Sequence, residues 1–260
     1  MKITSLSTSI IPLLVMHSKL IKAFIVTEQQ HHQQQHPVPV KTSSRLRRVV
    51  DTDTTVMKVT SRNPMPSSRL YCTSNSNPDK ISWDVFWDLE CPFARKNWEQ
   101  LPALREAFDS RFDFTIHLTS LAFHPSGWIG QCAAFLIRRE LDHTAWLAFV
   151  DACYEHQHLY KDDLKDPRRS EVVTVFADIA QGAGLFTEAF TREYFVEHAM
   201  DWNEIVKPTY QEHKYALERG VFGTPKHLID GELVADTESS WGVKEWQDKL
   251  ESIGMMESGQ

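Results

Sequence analysis

A chain of 260 residues with 42% hydrophobic and 24% charged residues has enough apolar content for a packed core, and room for one or two domains. Its charge is divided: residues 1–80 hold eleven Lys and Arg against four acids, a surplus of seven positive charges, while the rest holds seventeen against thirty-one, a surplus of fourteen negative ones. The acidic body argues against a nucleic-acid partner, because phosphate binding needs excess positive charge, and no run reaches the ~18 apolar residues of a membrane span.

Residues 1–78 read as a disordered leader. Lys2 precedes a modest apolar stretch, Ile10 to Met16, interrupted by Pro12, and Ser, Thr, Pro and Arg dominate from 37 to 78. Few apolar residues recur at any period, so the segment cannot offset the entropy of ordering itself. HHQQQH at 31–36 reads as a solvated linker rather than a metal site. The leader resembles an organellar transit peptide, and LIKAF at 20–24 resembles the signal-cleavage site before plastid transit peptides of algae with complex plastids. A plastid address through a signal plus transit peptide, or a mitochondrial presequence, is the expectation. Cys72 precedes the domain and is expected to be removed with the leader; Arg69-Leu70-Tyr71 just before it would suit a presequence protease.

The ordered domain is expected over 79–254, with 255–260 as a tail. ISWDVFWD (81–88) alternates and is rich in β-branched and aromatic residues, a buried-strand pattern. Pro92 suits a helix's first turn, and Phe93, Trp98, Leu101, Leu104 and Phe108 have helical spacing, with Pro102 implying a kink or a break. FDFTIHLTSL (112–121) alternates again, so strand, helix and strand form a βαβ unit whose strands should run parallel. A helical insertion follows over about 126–219. Within it, 128–160 forms one long helix or two, Ser170 is a candidate N-cap for the next, and the segment around Pro208 ends at Gly220. VFGTPKHLIDGELV (221–234) returns to strand character with Asp230-Gly231 as a hairpin turn, and a last amphipathic helix covers roughly Glu238 to Leu250. The order predicts one sheet with a helical lid.

Four cysteines, at 72, 91, 132 and 153, are too few and too scattered for a disulfide framework, and no C-x-x-C pair offers a zinc ribbon. Glu155-His156 and Glu197-His198 lack the second histidine of a zincin, and no metal is expected. Cys91 falls between the first strand and the first helix, in Asp88-Leu89-Glu90-Cys91-Pro92-Phe93-Ala94. There it faces unpaired N–H groups and the positive end of the helix dipole, which stabilise thiolate over thiol and make the sulfur a nucleophile. A buried cysteine acting as a small hydrophobe at a strand end is the rival reading, and on this motif alone the two stand level. Trp87 and Phe93 would give the sulfur an apolar surround that penalises the charged form. Val221-Phe222-Gly223-Thr224-Pro225 lies about 130 residues later, before the hairpin, where Thr-Pro is a candidate cis peptide bond.

Together these stretches resemble the DsbA-like thioredoxin-fold family, over roughly residues 81 to 253, through F-W-D-x-x-C-P and G-V-x-G-T-P-x-x-x-I-D-G. The resemblance implies an α/β thioredoxin-like fold, βαβ, helical insertion, ββα. It implies that Pro225 is cis beside the sulfur of Cys91, and that the backbone of Thr224 pairs with an extended thiol substrate in β fashion. The family's C-P-x-C is here Cys91-Pro92-Phe93-Ala94, so the resolving thiol is missing and a dithiol oxidase cycle at that motif is excluded. Three uses remain: mixed disulfides with glutathione or a protein thiol; holding a glutathione sulfur, as in the related 2-hydroxychromene-2-carboxylate isomerases and kappa-class glutathione transferases; or binding alone. Eukaryotic DsbA-like proteins with C-P-x-S are similar, including Arg95, Trp98 and the segment Phe123-His124-Pro125.

The resulting candidate site is Cys91 as nucleophile, with Pro92, Phe93, Ala94, Thr224, Pro225 and His124 as substrate-binding residues. His124 either orients a thiol or substrate or caps a turn with Pro125. Cys132 and Cys153 share the apolar positions of their helices and read as core, with Cys132 the one to test for approach to the site. The expected partner is a protein thiol or glutathione, the latter as co-substrate and not a resident cofactor. Oligomeric state stays open.

Overall fold

The computed structural model describes residues 79–161 and 164–257. The leader, with its HHQQQH run and Cys72, lies outside the described residues, as do residues 258–260 of the tail.

Four strands form one sheet in the order β2-β1-β3-β4: β1 (Ile81–Trp87), β2 (Phe112–Leu118), β3 (Lys226–Ile229) and β4 (Glu232–Leu233). β1 and β2 run parallel, joined through α1 (Pro92–Trp98) and α2 (Leu101–Phe108). The break falls at Glu99-Gln100, and Pro102 sits in the first turn of α2, where its missing N–H costs nothing. β3 runs antiparallel to both β1 and β4. A two-residue turn joins β3 to β4, with Asp230 (φ 50°) and Gly231 (φ 79°) both left-handed, as a type I′ turn requires.

Both faces of β1 are covered, which is why its residues are buried without regard to alternation. On one face Trp83 is fully buried: its ring stacks on Phe114 at 4.7 Å and meets Trp246 of the last helix, α9 (Val243–Ser252), edge-on at 4.8 Å. Its indole N–H donates to His227 Nδ1 at 3.1 Å. Burial holds His227 down to about 3, so the ring is neutral and that nitrogen can accept.

The opposite face packs on α8 (Lys207–Glu218), with Phe86 and Leu228 clustered against Tyr215, Ala216 and Val221. At its centre His117 donates from Nε2 to Asp84 Oδ1 at 2.8 Å, while Nδ1 lies 3.5 Å from Glu212 Oε2. Burial alone would lower the His117 pKa, but the hydrogen bonds to Asp84 and Glu212 overcome it and raise the pKa to about 9. The ring is therefore a buried imidazolium between two carboxylates.

The insertion contains α3 (Pro125–Glu140), α4 (His143–Glu155), α5 (Gln157–Lys161), α6 (Arg169–Gly182), α7 (Arg192–His198) and a π-helical turn (Trp202–Val206) that runs into α8. Three helices thus occupy 125–161 where one or two were expected. Asp142 ends the run by accepting from Ala145 N at 2.8 Å as the N-cap of α4. Ser170 is not an N-cap: that position is Arg168, whose backbone N–H donates to Glu171 Oε2 at 2.9 Å, placing Ser170 inside the first turn. The last helix starts at Val243 rather than near Glu238, with the Gly242 N–H donating to Glu245 Oε2. The π turn precedes Pro208, which lacks the N–H that would bond the Glu204 carbonyl; Arg139 Nη1 donates to that oxygen at 3.3 Å instead.

Candidate functional site

Cys91 is the N-cap residue of α1, in extended backbone (φ −80°, ψ 120°) with Pro92 opening the helix. Its own carbonyl accepts from Arg95 N at 3.1 Å. The N–H groups of Phe93 and Ala94 lie in the first turn, where a helix offers them no acceptor. The Cys91 thiol donates to the Thr224 carbonyl oxygen at 3.3 Å, and the peptide bond from Thr224 to Pro225 is cis. Residues 133 positions apart are brought together because β1 delivers Cys91 and the antiparallel β3 begins directly after Pro225.

Ala94 is fully buried, whereas Phe93 is 62% exposed and Pro92 is also exposed. Phe93 therefore does not enclose the sulfur as expected: α1 turns its side chain out to solvent while Ala94, the next residue, packs inward. Trp87 is buried, and its indole N–H donates to Asn97 Oδ1 at 2.8 Å, tying the end of β1 to α1. Trp98 Nε1 donates to Asp151 Oδ1 at 3.0 Å, tying α1 in turn to α4.

The loop before Cys91 is held by groups that sequence reading did not single out. Asp88 is 1% exposed; its Oδ1 accepts from Glu90 N at 2.9 Å, and its Oδ2 accepts from Leu121 N and from His124 Nδ1, both at 2.7 Å. The Asp88 carbonyl accepts from Cys91 N at 3.1 Å and from the Tyr154 hydroxyl at 3.3 Å. The Leu89 carbonyl accepts from Gln157 Nε2 at 2.7 Å and the Tyr160 hydroxyl at 2.8 Å. Glu90 Oε2 accepts from Gly127 N at 2.8 Å, so this carboxylate sits at the N-terminus of α3. Burial raises the Glu90 pKa against that favourable contact. A side chain at Gly127 would overlap Asp88 Oδ1, with Ser120 Oγ only 3.2 Å away, so only glycine lets α3 approach this loop.

His124 takes the N-cap position of α3 but makes no side-chain cap bond. The turn-capping role is thus not the one it plays; its ring pairs with Asp88 instead. That hydrogen bond raises its pKa, with burial opposing. His213 of α8, which also feels the Asp88 charge, shares a 3.1 Å hydrogen bond with Thr119 Oγ1, and burial lowers its pKa.

Cys132 and Cys153 are fully buried. Cys132 lies beside the Thr209 hydroxyl of α8, and burial pushes its thiol up to about 12. Burial raises Cys153 as well, so both stay protonated and unreactive at neutral pH. Cys91, Cys132 and Cys153 are all free thiols. Among the described residues no group of three or more His, Cys, Asp or Glu is arranged to hold a metal ion, and no helix is long and apolar enough to cross a membrane.

No protein-family profile matches the sequence, and no curated protein sequence does. Solved structures match in fold. A candidate protein-disulfide isomerase from Pseudomonas syringae shares 23% identity over 65% of this chain and 93% of that one, with a TM-score of 0.50. MdbA, a thiol-disulfide oxidoreductase from Corynebacterium diphtheriae, shares 16% over 67% and 89%, with a TM-score of 0.52. Oxidised BdbD from Bacillus subtilis shares 14% over 73% and 96%, with a TM-score of 0.54. Strand order, helical insertion and these likenesses together establish a DsbA-like thioredoxin fold for the described domain.

Proposed function

We propose that the protein is a thiol-disulfide exchange protein working through one cysteine, Cys91, as nucleophile. The observation that carries this reading is the contact of the Cys91 thiol with the Thr224 carbonyl at the start of α1. The Cys91 thiolate attacks a disulfide R–S–S–R′, forming Cys91–S–S–R and releasing R′–S⁻. A second thiolate, from glutathione or a protein, then attacks the mixed disulfide, restoring the Cys91 thiolate and leaving with R as a new disulfide. With Ala94 in place of a second thiol, the adduct waits for that external partner.

An extended polypeptide is the substrate the surface fits best. Phe93 follows Cys91 by two residues, Phe222 precedes Thr224 by two, and Phe123 adjoins His124; they are 62%, 75% and 71% exposed. Exposed apolar side chains close in sequence to Cys91, Thr224 and His124 suit the side chains of a bound strand, with the backbone at Thr224 supplying main-chain pairing. The resemblance of the leader to an organellar transit peptide supports a plastid or mitochondrial setting for this activity.

Mild treatment with oxidised glutathione, followed by mass spectrometry of peptides, tests the proposal. A glutathione adduct on Cys91, with Cys132 and Cys153 unmodified, is the expected result. Modification of either helical cysteine while Cys91 is spared contradicts it.

A further inference from the structure

The Cys91 loop carries two buried carboxylates, Asp88 and Glu90, within three residues of the sulfur. Near a nucleophilic thiolate such charges are unfavourable unless compensated. The compensating group is His124, whose Nδ1 lies 2.7 Å from Asp88 Oδ2. The pair is asymmetric in exposure: the Asp88 side chain is sealed, while that of His124 is 14% exposed, so a proton can enter and leave the ring.

We infer that His124 is a positioning residue that sets the attack rate of Cys91 through its proton, by neutralising Asp88 beneath the reactive loop. The inference rests on the reading of Cys91 as the reactive thiol and adds a regulator to it. The charged and titratable groups facing the pair come from several elements: Glu90 in the loop, Lys161 at the end of α5, His213 on α8, and the hydroxyls of Tyr154 and Tyr160. Glu90 favours the charged ring and Lys161 opposes it, while the hydrogen bond to Asp88 is the dominant influence. Burial holds His213 toward its neutral form, leaving His124 as the histidine that balances Asp88 near neutral pH.

When the ring is charged, the two carboxylates face one positive charge; once it is neutral, only backbone N–H groups offset them in the loop that carries Cys91. Attack by Cys91 is thereby favoured on the acid side of the His124 titration, relative to a loop that never carries the positive charge. A group that only props the loop in place would affect the rate equally at every pH.

The test is the alkylation rate of Cys91 in the full chain, resolved by peptide mass spectrometry, from pH 5.5 to 9.5. Iodoacetamide forms a thioether with the thiolate and releases iodide, so no other reactant enters. His124→Gln should react about fivefold more slowly than the unaltered protein at pH 6, with the ratio closing towards one at alkaline pH. In Asp88→Asn the closing point should move to lower pH, since His124 loses the carboxylate that raises it. A ratio that is the same at all pH values overturns the inference. If melting curves show that the variants do not fold, the ring titration of His124 in the unaltered protein, read by NMR, replaces them. An inflection in the alkylation profile at the His124 midpoint then supports the inference, and a profile without one overturns it. Should Cys91 react no faster than Cys132 and Cys153 in the unaltered protein, it is the thiol-site reading that has failed.

Discussion

The Cys91 thiol and the Thr224 carbonyl oxygen stand 3.3 Å apart across a separation of 133 residues. Neither residue could find the other without the whole sheet, since β1 leads to one and β3 departs from the other. The contact therefore reports on the fold and on the site at once. Two residues from each partner an aromatic side chain, Phe93 or Phe222, faces solvent.

Those aromatic residues give the first prediction. Phe93→Ser combined with Phe222→Ser should lower the second-order rate of exchange with an apolar disulfide-bonded peptide by about tenfold, through lost contact area. Exchange with oxidised glutathione should change little. Because both side chains are exposed, folding stability should stay within about 0.5 kcal/mol. Stopped-flow exchange with the two disulfides checks this; an equal loss with both contradicts it.

Gly127→Ala tests the support beneath the loop. The new methyl group overlaps Asp88 Oδ1, and the neighbouring Ser120 hydroxyl leaves little space to retreat. A loss of about 1–3 kcal/mol in urea unfolding is expected, as for other overpacked positions. Cys91 alkylation should slow in the same variant, because the loop that carries the cysteine hangs on Asp88 and on the Gly127 N–H. Unchanged stability and rate would mean that α3 can withdraw without cost.

Stability against pH should fall on both sides of neutrality, for different histidines. His117 has its folded pKa raised from 6.5 to about 9, so its contribution is complete below about 6.5 and is lost as pH rises through about 9. The contribution is at most about 3 kcal/mol. His143 and His227 are lowered to about 4 and about 3 by burial, so the unfolded chain takes up protons first as pH falls below 6.5. Stability should drop progressively from there. Urea unfolding at a series of pH values measures both limbs, and His117→Gln should flatten the alkaline one. An alkaline limb equally steep in that variant rules out the buried imidazolium as its source.

What the sequence disclosed and what it hid follow different physics. Alternation in ISWDVFWD and FDFTIHLTSL disclosed β1 and β2, because aromatic and β-branched residues in a period of two mark a buried strand. Asp230-Gly231 disclosed the hairpin, because only such residues accept left-handed backbone twice in succession. Cys91 and Thr224-Pro225 were legible through residue type and order along the chain. The burial of Asp88 and Glu90 was not, since two acids in a loop look like solvated surface, and several of their partners are backbone N–H groups, of residues 90, 121 and 127, which carry no residue signature. The spacing of Asp88 from Cys91 and a glycine just inside α3 were the available hints. Phe93 was misplaced for a simpler reason: successive helix positions point about 100° apart, and which of them meet the core depends on packing that sequence does not state.

Trp83→Ala checks the core that holds both halves of the site. The ring contacts Phe112, Phe114, Phe108 and Trp246, and its N–H is the partner of His227. A loss of about 3–5 kcal/mol is expected from its removal, with Cys91 selectivity over the buried cysteines disappearing under conditions that unfold the variant. A loss below about 1 kcal/mol would show that the aromatic cluster contributes far less than its burial implies.

The central claim is that Cys91 forms a covalent adduct and that neither of the other cysteines among the described residues, Cys132 and Cys153, resolves it. The direct measurement is to react the folded chain with a disulfide-linked model peptide and follow the adduct by intact-mass spectrometry, without added thiol. The account predicts one peptide per chain, attached at Cys91, persisting until glutathione is supplied and then released. Spontaneous loss of the peptide with formation of a disulfide between Cys91 and Cys132 or Cys153 would contradict it.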